Sequence, residues 1–307
     1  VKIALGQINI EQGNVAANLE KHLAFVQQAI DNKADLIVFP ELSLTGDMIG
    51  PMVPDLGIAV ADGTIQQLID ASSQIDIVVG LVEKSETNLY NRYNAALYLS
   101  EGLLLQRHRK LFLVNYAVFE EAKHYVPGNN QQAFITRFGN TSMLICNDVW
   151  HAASPYIAAL DGAEIMLVPA NSANGVLEDR LNVSRTWENM NRTYSATMGF
   201  YTVFVNCVGL KPSAYGEFKY WGGSEIIAPN GDTVVKAPYD DEALVFGDID
   251  ISEVAEQRYR VPIIRDTRIW LLEQEFDRLA DQRSSEIMIE DATETLDMLE
   301  TDGSAED

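Results

Sequence analysis

Three ionisable side chains stand where short apolar runs give way to polar residues. Glu41 follows Val38-Phe39-Pro40, and Lys110 closes Arg107-His108-Arg109-Lys110 before Leu111-Phe112-Leu113. Cys146 ends Ser142-Met143-Leu144-Ile145-Cys146, ahead of Asn147-Asp148-Val149-Trp150. The end of a strand is a place where a rigid scaffold can aim a side chain. A free thiol has a pKa of about 8.5, so a carboxylate general base that takes its proton makes it a nucleophile at neutral pH. An ammonium nearby can hold the negative charge that grows on an attacked carbonyl oxygen. Singly, each residue has an ordinary reading as a surface acid, a solvated basic cluster or a small core residue. Cys207, inside Val203-Phe204-Val205-Asn206-Cys207-Val208, reads as such a core thiol.

Other chemistries lack support. His22, His108, His124 and His151 are scattered, with no HExxH and no CxxC, so no zinc site or other cofactor is expected. No GxGxxG or GxxxxGK[ST] cradles a nucleotide, and no GxSxG marks a serine nucleophile.

The elements that must position the three residues alternate along the chain, as in layered α/β proteins. Strands are expected over residues 3–8, 35–39, 75–82, 94–99 and 102–108, with helices over 18–32 and 64–73. Residues 111–132 read as a loop. Strands 134–138 and 141–146 are expected around a Gly139-Asn140 turn. Helices over 156–160 and 182–198 and strands over 165–168, 202–208, 225–228 and 233–236 complete the pattern.

Hydrophobic residues make up 47% of the 307, enough to bury a large core, and one domain is expected over residues 1–280. Acids outnumber bases 45 to 22, and the charge of -23 argues against nucleic acid and anionic lipid. Residues 281–307 hold ten acids and one Arg, net -9, leaving -14 for the body. That acidic tail is expected to be solvated, or to dock on a neighbour through Ile287, Ala292, Leu296 and Leu299. No apolar run reaches the roughly 20 residues of a membrane helix. With two cysteines and no basic-then-apolar leader, a reducing cytoplasmic setting is expected.

Taken together, the segments Phe39-Pro40-Glu41-Leu42-Ser43-Leu44-Thr45-Gly46, Arg109-Lys110-Leu111-Phe112-Leu113 and Leu144-Ile145-Cys146-Asn147-Asp148 resemble, in order and spacing, the three signatures of the nitrilase (carbon-nitrogen hydrolase) superfamily. The resemblance implies an α/β fold, a four-layer α-β-β-α sandwich, assembled as a homodimer or larger homo-oligomer. Residues 156–160 and 251–279 are expected at that interface. It implies a catalytic set of Cys146 as nucleophile, Glu41 as general base and Lys110 as oxyanion partner, with the Asn147 amide beside it. Glu121, seven residues before Gly128, matches a further carboxylate that keeps the lysine charged. Tyr116, Trp150 and Asn171 are candidates for the substrate pocket.

The stretch from Lys110 to Glu121 resembles most the glutaminase domain of glutamine-dependent NAD synthetases. Asn147 stands where that branch has Glu, and Asn171-Ser172-Ala173-Asn174 where it has Asn-x-Ser-Pro. The expected activity is therefore hydrolysis of a small linear amide. A glutaminase-type ammonia donor with a partner chain, an N-carbamoyl amidohydrolase and a nitrilase are the alternatives.

Overall fold

The computed structural model describes residues 1–116, 119–174, 181–213 and 216–283. Two six-stranded sheets carry the body. The first runs in the order Ala243–Asp248, Lys2–Gln7, Leu36–Val38, Asp76–Lys84, Arg92–Ser100, Leu103–Arg109. The second runs Thr233–Lys236, Glu225–Ile227, Tyr201–Asn206, Ile165–Ala170, Gly139–Met143, Phe134–Thr136. In each, the central strands are parallel and the outer pairs antiparallel.

Side-chain alternation along these strands builds the layers. Ile3, Leu5, Leu36, Val38 and Val78 of the first sheet share one apolar cluster with Ile165, Leu167, Val203 and Val205 of the second. Their strand neighbours Ala4, Ile37, Ile77 and Val79 face the other way, onto Val26 and Ala29 of helix Val15–Asp31 and Ile65 and Leu68 of helix Gly63–Ala71. On the second sheet Met166, Val168 and Phe204 pack against Ala159 of helix Ala153–Leu160 and Trp187 of helix Val183–Met198. Helix, sheet, sheet, helix is the four-layer sandwich the sequence led us to expect.

Several boundaries differ from the sequence reading. The turn of the 134–143 hairpin falls at Arg137-Phe138, and Gly139 and Asn140 open its second strand opposite Thr136 and Ile135. Thr136 drives this, since its hydroxyl accepts from the Phe138 amide and donates to the Gly139 carbonyl. That strand ends at Met143, because the Ile145 amide is taken by the Asp148 carboxylate at 2.9 Å. The expected strand over 202–208 stops at Asn206, and Val208–Ser213 begins a hairpin with Gly216–Trp221. No element was expected over this hairpin, whose sequence carries Pro212 and Gly216. Among its described residues, loop 111–132 contains one helical turn, Glu121–His124.

The chain separates into two compact units, Val1–Ile264 and one beginning at Arg265, of which residues 269–283 are helical. The expectations for residues 284–307 lie outside the described residues.

Gly80 shows how tightly the first sheet meets the turn that carries Glu41. A Cβ there would lie 2.4 Å from the Leu42 amide nitrogen and 2.6 Å from the Pro40 carbonyl oxygen. Gly80→Ala is expected to destabilise the protein by about 1–3 kcal/mol, as overpacking does. Urea denaturation checks this, and an unshifted midpoint would contradict it.

Candidate active site

Glu41, Lys110 and Glu121 meet although 69 and 11 residues separate the lysine from its two partners. Glu41 lies in the turn after strand Leu36–Val38, and Lys110 is the first residue past strand Leu103–Arg109. Lys110 Nζ donates to Glu41 Oε1 at 2.7 Å and to Glu121 Oε1 at 2.9 Å. Asn94 Nδ2 donates to the same Glu41 oxygen at 2.7 Å, and the Asn171 amide donates to Glu41 Oε2 at 2.9 Å. Glu121 Oε2 accepts from the Val114 amide at 2.6 Å. Lys110 is 1% exposed and Glu41 3%.

Gly128 packs over the lysine turn, donating its amide to the Lys110 carbonyl at 2.8 Å. A Cβ there would fall 2.2 Å from the Arg109 carbonyl oxygen, so the residue that closes this loop must be glycine.

Cys146 sits at the head of the helical turn Asn147–Trp150 with φ +45°, a left-handed conformation costly for a side chain with a Cβ. Its amide bonds to the Pro169 carbonyl at 3.0 Å. Asp148 fixes the surrounding geometry. Its Oδ1 accepts from the Leu111 and Phe112 amides at 2.9 Å each, and its Oδ2 from the Ile145 amide at 2.9 Å, with His108 Nε2 also at 2.9 Å. One buried carboxylate thus joins the residue before Cys146 to the residues after the lysine. The Asn147 side chain adds to this, donating to the Phe112 carbonyl at 3.0 Å.

The electrostatics follow from burial and charge. Burial pulls the Lys110 ammonium towards neutrality, but the Glu121 and Glu41 carboxylates outweigh it and hold its pKa well above the usual lysine value. Burial pushes the Glu121 carboxyl up, against the lysine beside it. Burial, and then the Glu41 charge, push the Cys146 thiol well above the usual cysteine range, against the opposing pull of Lys110. Burial and charge thus favour the protonated form of the Cys146 side chain.

A cavity of about 250 Å³ opens over these groups. Every candidate site residue expected from the resemblance lines it: Glu41, Lys110, Glu121, Cys146 and Asn147, together with Tyr116, Trp150 and Asn171. Trp150 packs edge-on against Trp187 at 5.7 Å. Cys207 is fully buried, as expected, and lies 3.5 Å from the ammonium of Lys211. Sequence reasoning missed Asn94, Asp148 and Asp47, another residue of the lining. Asn94 lies within an apolar strand and looked like part of it, whereas Asp148, two residues past Cys146, stood in the motif segment with no role assigned. Among the described residues, no group of three or more histidine, cysteine or acidic side chains is placed to hold a metal ion, and no helix is long and apolar enough to cross a membrane.

The sandwich and the site define a class, hydrolases of carbon-nitrogen bonds. The chain belongs to the carbon-nitrogen hydrolase family, whose sequence profile matches residues 2–259. It is 29% identical over 261 residues to the glutamine-dependent NAD(+) synthetase of Acinetobacter baylyi, covering 84% of this chain and 45% of that protein. The chain thus spans less than half the length of that relative. It is 24% identical to the omega-amidase NIT2 of Homo sapiens, covering 87% of this chain and 95% of that one. The carbon-nitrogen hydrolase of Helicobacter pylori G27 superposes with a TM-score of 0.79 at 23% identity, over 90% of this chain and 98% of that one.

Two predictions follow from this geometry. Glu41→Gln removes the negative neighbour of the thiol, so alkylation of Cys146 by iodoacetamide should shift to lower pH than in the wild type. Peptide mass spectrometry across pH reads this, and an upward shift would contradict the assignment. Asp148→Asn turns one acceptor into a donor that faces backbone amides or the His108 ring, and should cost about 1–3 kcal/mol in urea denaturation.

Proposed function

We propose that this protein hydrolyses a small linear amide through a thioester on Cys146, with Glu41 as proton carrier and Lys110 as oxyanion partner. The observation that carries the reading is the buried Glu41–Lys110–Glu121 cluster on the wall of the cavity that Cys146 also lines.

Sulfur attacks the amide carbonyl carbon while the thiol proton passes to Glu41. The oxyanion is held by the Lys110 ammonium and the Asn147 N–H, each such donor contributing about 3 kcal/mol to transition-state stability. As the C–N bond breaks, Glu41 returns the proton to the leaving nitrogen, and ammonia or an amine departs. Water, deprotonated by Glu41, then attacks the thioester. The second tetrahedral adduct collapses to the carboxylic acid, and the proton returns to sulfur. Glu121 keeps the lysine charged and in place. Tyr116, Trp150 and Asn171 form walls against which the acyl chain lies. No cofactor enters the cycle.

The glutaminase-type reading is favoured by one finding, the similarity to NAD(+) synthetases over less than half their length. In that case the ammonia would pass to a partner chain. The body over residues 1–280 is proposed as the catalytic domain and residues 281–307 as an acidic tail. We place the protein in a reducing, cytoplasmic compartment, which suits a site built on a free thiol. It would assemble as a homodimer through helix Ala153–Leu160, where Ile157 is 47% exposed.

Native mass spectrometry after incubation with small amides tests the reading in one spectrum. The expected result is a dimer carrying an acyl adduct on Cys146, with ammonia release lowered by about 10³-fold or more in Cys146→Ala. Full ammonia release in that variant would overturn the mechanism.

A further inference from the structure

A further carboxylate, outside the Glu41–Lys110–Glu121 cluster, lines the cavity. Asp47 follows the Glu41 turn and lines the same space as Cys146. Its Oδ1 accepts from Lys211 Nζ and from Gln12 Nε2, each at 3.1 Å, and its Oδ2 accepts from the Tyr220 hydroxyl. Lys211 is 2% exposed and lies 3.8 Å from the centre of the Tyr220 ring. Asp47 keeps 12% of its side chain exposed. A carboxylate oxygen accepts about two hydrogen bonds, so Oδ2 retains one acceptor position.

The ammonium groups in and around this space already have partners. Lys110 is shared by Glu41 and Glu121, Lys211 sits behind Asp47, and Lys123 pairs with Glu120 at 3.0 Å. Among the described lining residues there is no arginine, and Glu41, Asp47, Glu120 and Glu121 stand against Lys110. The neutral hydrogen-bonding capacity is different. Both polar atoms of the Asn171 side chain and the Tyr125 hydroxyl are buried without a hydrogen-bond partner among the described residues, and both residues line the cavity. Asn171 is only 8% exposed. Buried polar atoms left in this condition cost free energy until a ligand meets them.

We propose that this cavity selects amides whose far end is a hydrogen-bond donor, with a cationic amino group preferred, that Asp47 Oδ2 is its acceptor, and that amides ending in a carboxylate are discriminated against. A carboxylate entering here meets like charge with no free cation among the described lining residues. An ammonium meets an acceptor already in place. The Asn171 amide and Tyr125 hydroxyl serve the uncharged polar atoms of the same substrate. This deepens the amidase reading of the site and rests on it.

The test uses three amides of similar length: 4-aminobutanamide, pentanamide and glutaramate. Calorimetric titration into the Cys146→Ala protein at pH 8, where free imidazole is neutral, measures binding without turnover. The expected order is 4-aminobutanamide, pentanamide, glutaramate, with at least tenfold between the first and the last. Asp47→Asn in the same background should bring the ratio of the first two close to one, and Asp47→Glu should restore part of it. A merely structural role for Asp47 would weaken all three alike and leave the ratio unmoved, which would overturn the assignment. Glutaramate binding as tightly as 4-aminobutanamide, or binding of none of the three, would overturn the proposal. The order in the Cys146→Ala protein decides the charge preference even where Asp47→Asn fails to fold. Wild-type turnover separates the two readings. Preferred hydrolysis of glutaramate refutes this inference alone, whereas hydrolysis of no amide refutes the amidase reading.

Discussion

One ammonium held between two carboxylates, all three buried or nearly so, sets the terms for the rest of the structure. An unpaired charge at the Lys110 position would carry a desolvation penalty of several kcal/mol, and removing the lysine leaves both carboxylates uncompensated. The two carboxylates come from a strand-end turn and a one-turn helix, and the lysine from the end of another strand. For the pairing to form, those segments must converge to within hydrogen-bonding distance. The packing of Gly80 under the Glu41 turn and of Gly128 over the Lys110 turn makes that convergence possible.

The same pairing shapes the chemistry. With Lys110 held charged by two acids, positive charge persists in a site where burial alone would remove it. Burial and then the Glu41 charge favour the protonated Cys146 thiol. The Asp148 carboxylate links the Cys146 segment to the lysine turn, through the Ile145 amide on one side and the Leu111 and Phe112 amides on the other. A strained Cys146 backbone is held by these contacts and by the Pro169 carbonyl.

Much of this was legible in the sequence, because the local signals and the family resemblance agreed. Apolar alternation marked the sheet strands, and three polar breaks at their ends carried Glu41, Lys110 and Cys146. What the sequence did not disclose are partnerships set by distance along the chain. The Asn94 amide reaches Glu41 across 53 residues, and the Asn171 amide reaches it across 130. Nothing in the local pattern around either residue announces that contact. The hairpin Val208–Ser213 and Gly216–Trp221 escaped for a different reason: its proline and glycines mimic a loop, and its second strand pairs with Ala173–Asn174, distant in sequence. Lys211 and Tyr220 come from that hairpin, so the contacts that hold Asp47 were hidden with it.

The central claim is that Lys110 and its carboxylates act as one unit. A double-mutant cycle between Lys110→Met and Glu121→Gln, read by urea denaturation, tests it most directly. The account predicts strong coupling, about 2 kcal/mol or more, because Lys110→Met leaves the Glu41 and Glu121 carboxylates facing each other without a cation, and Glu121→Gln in the same protein relieves that repulsion. Additivity within about 0.5 kcal/mol would contradict it.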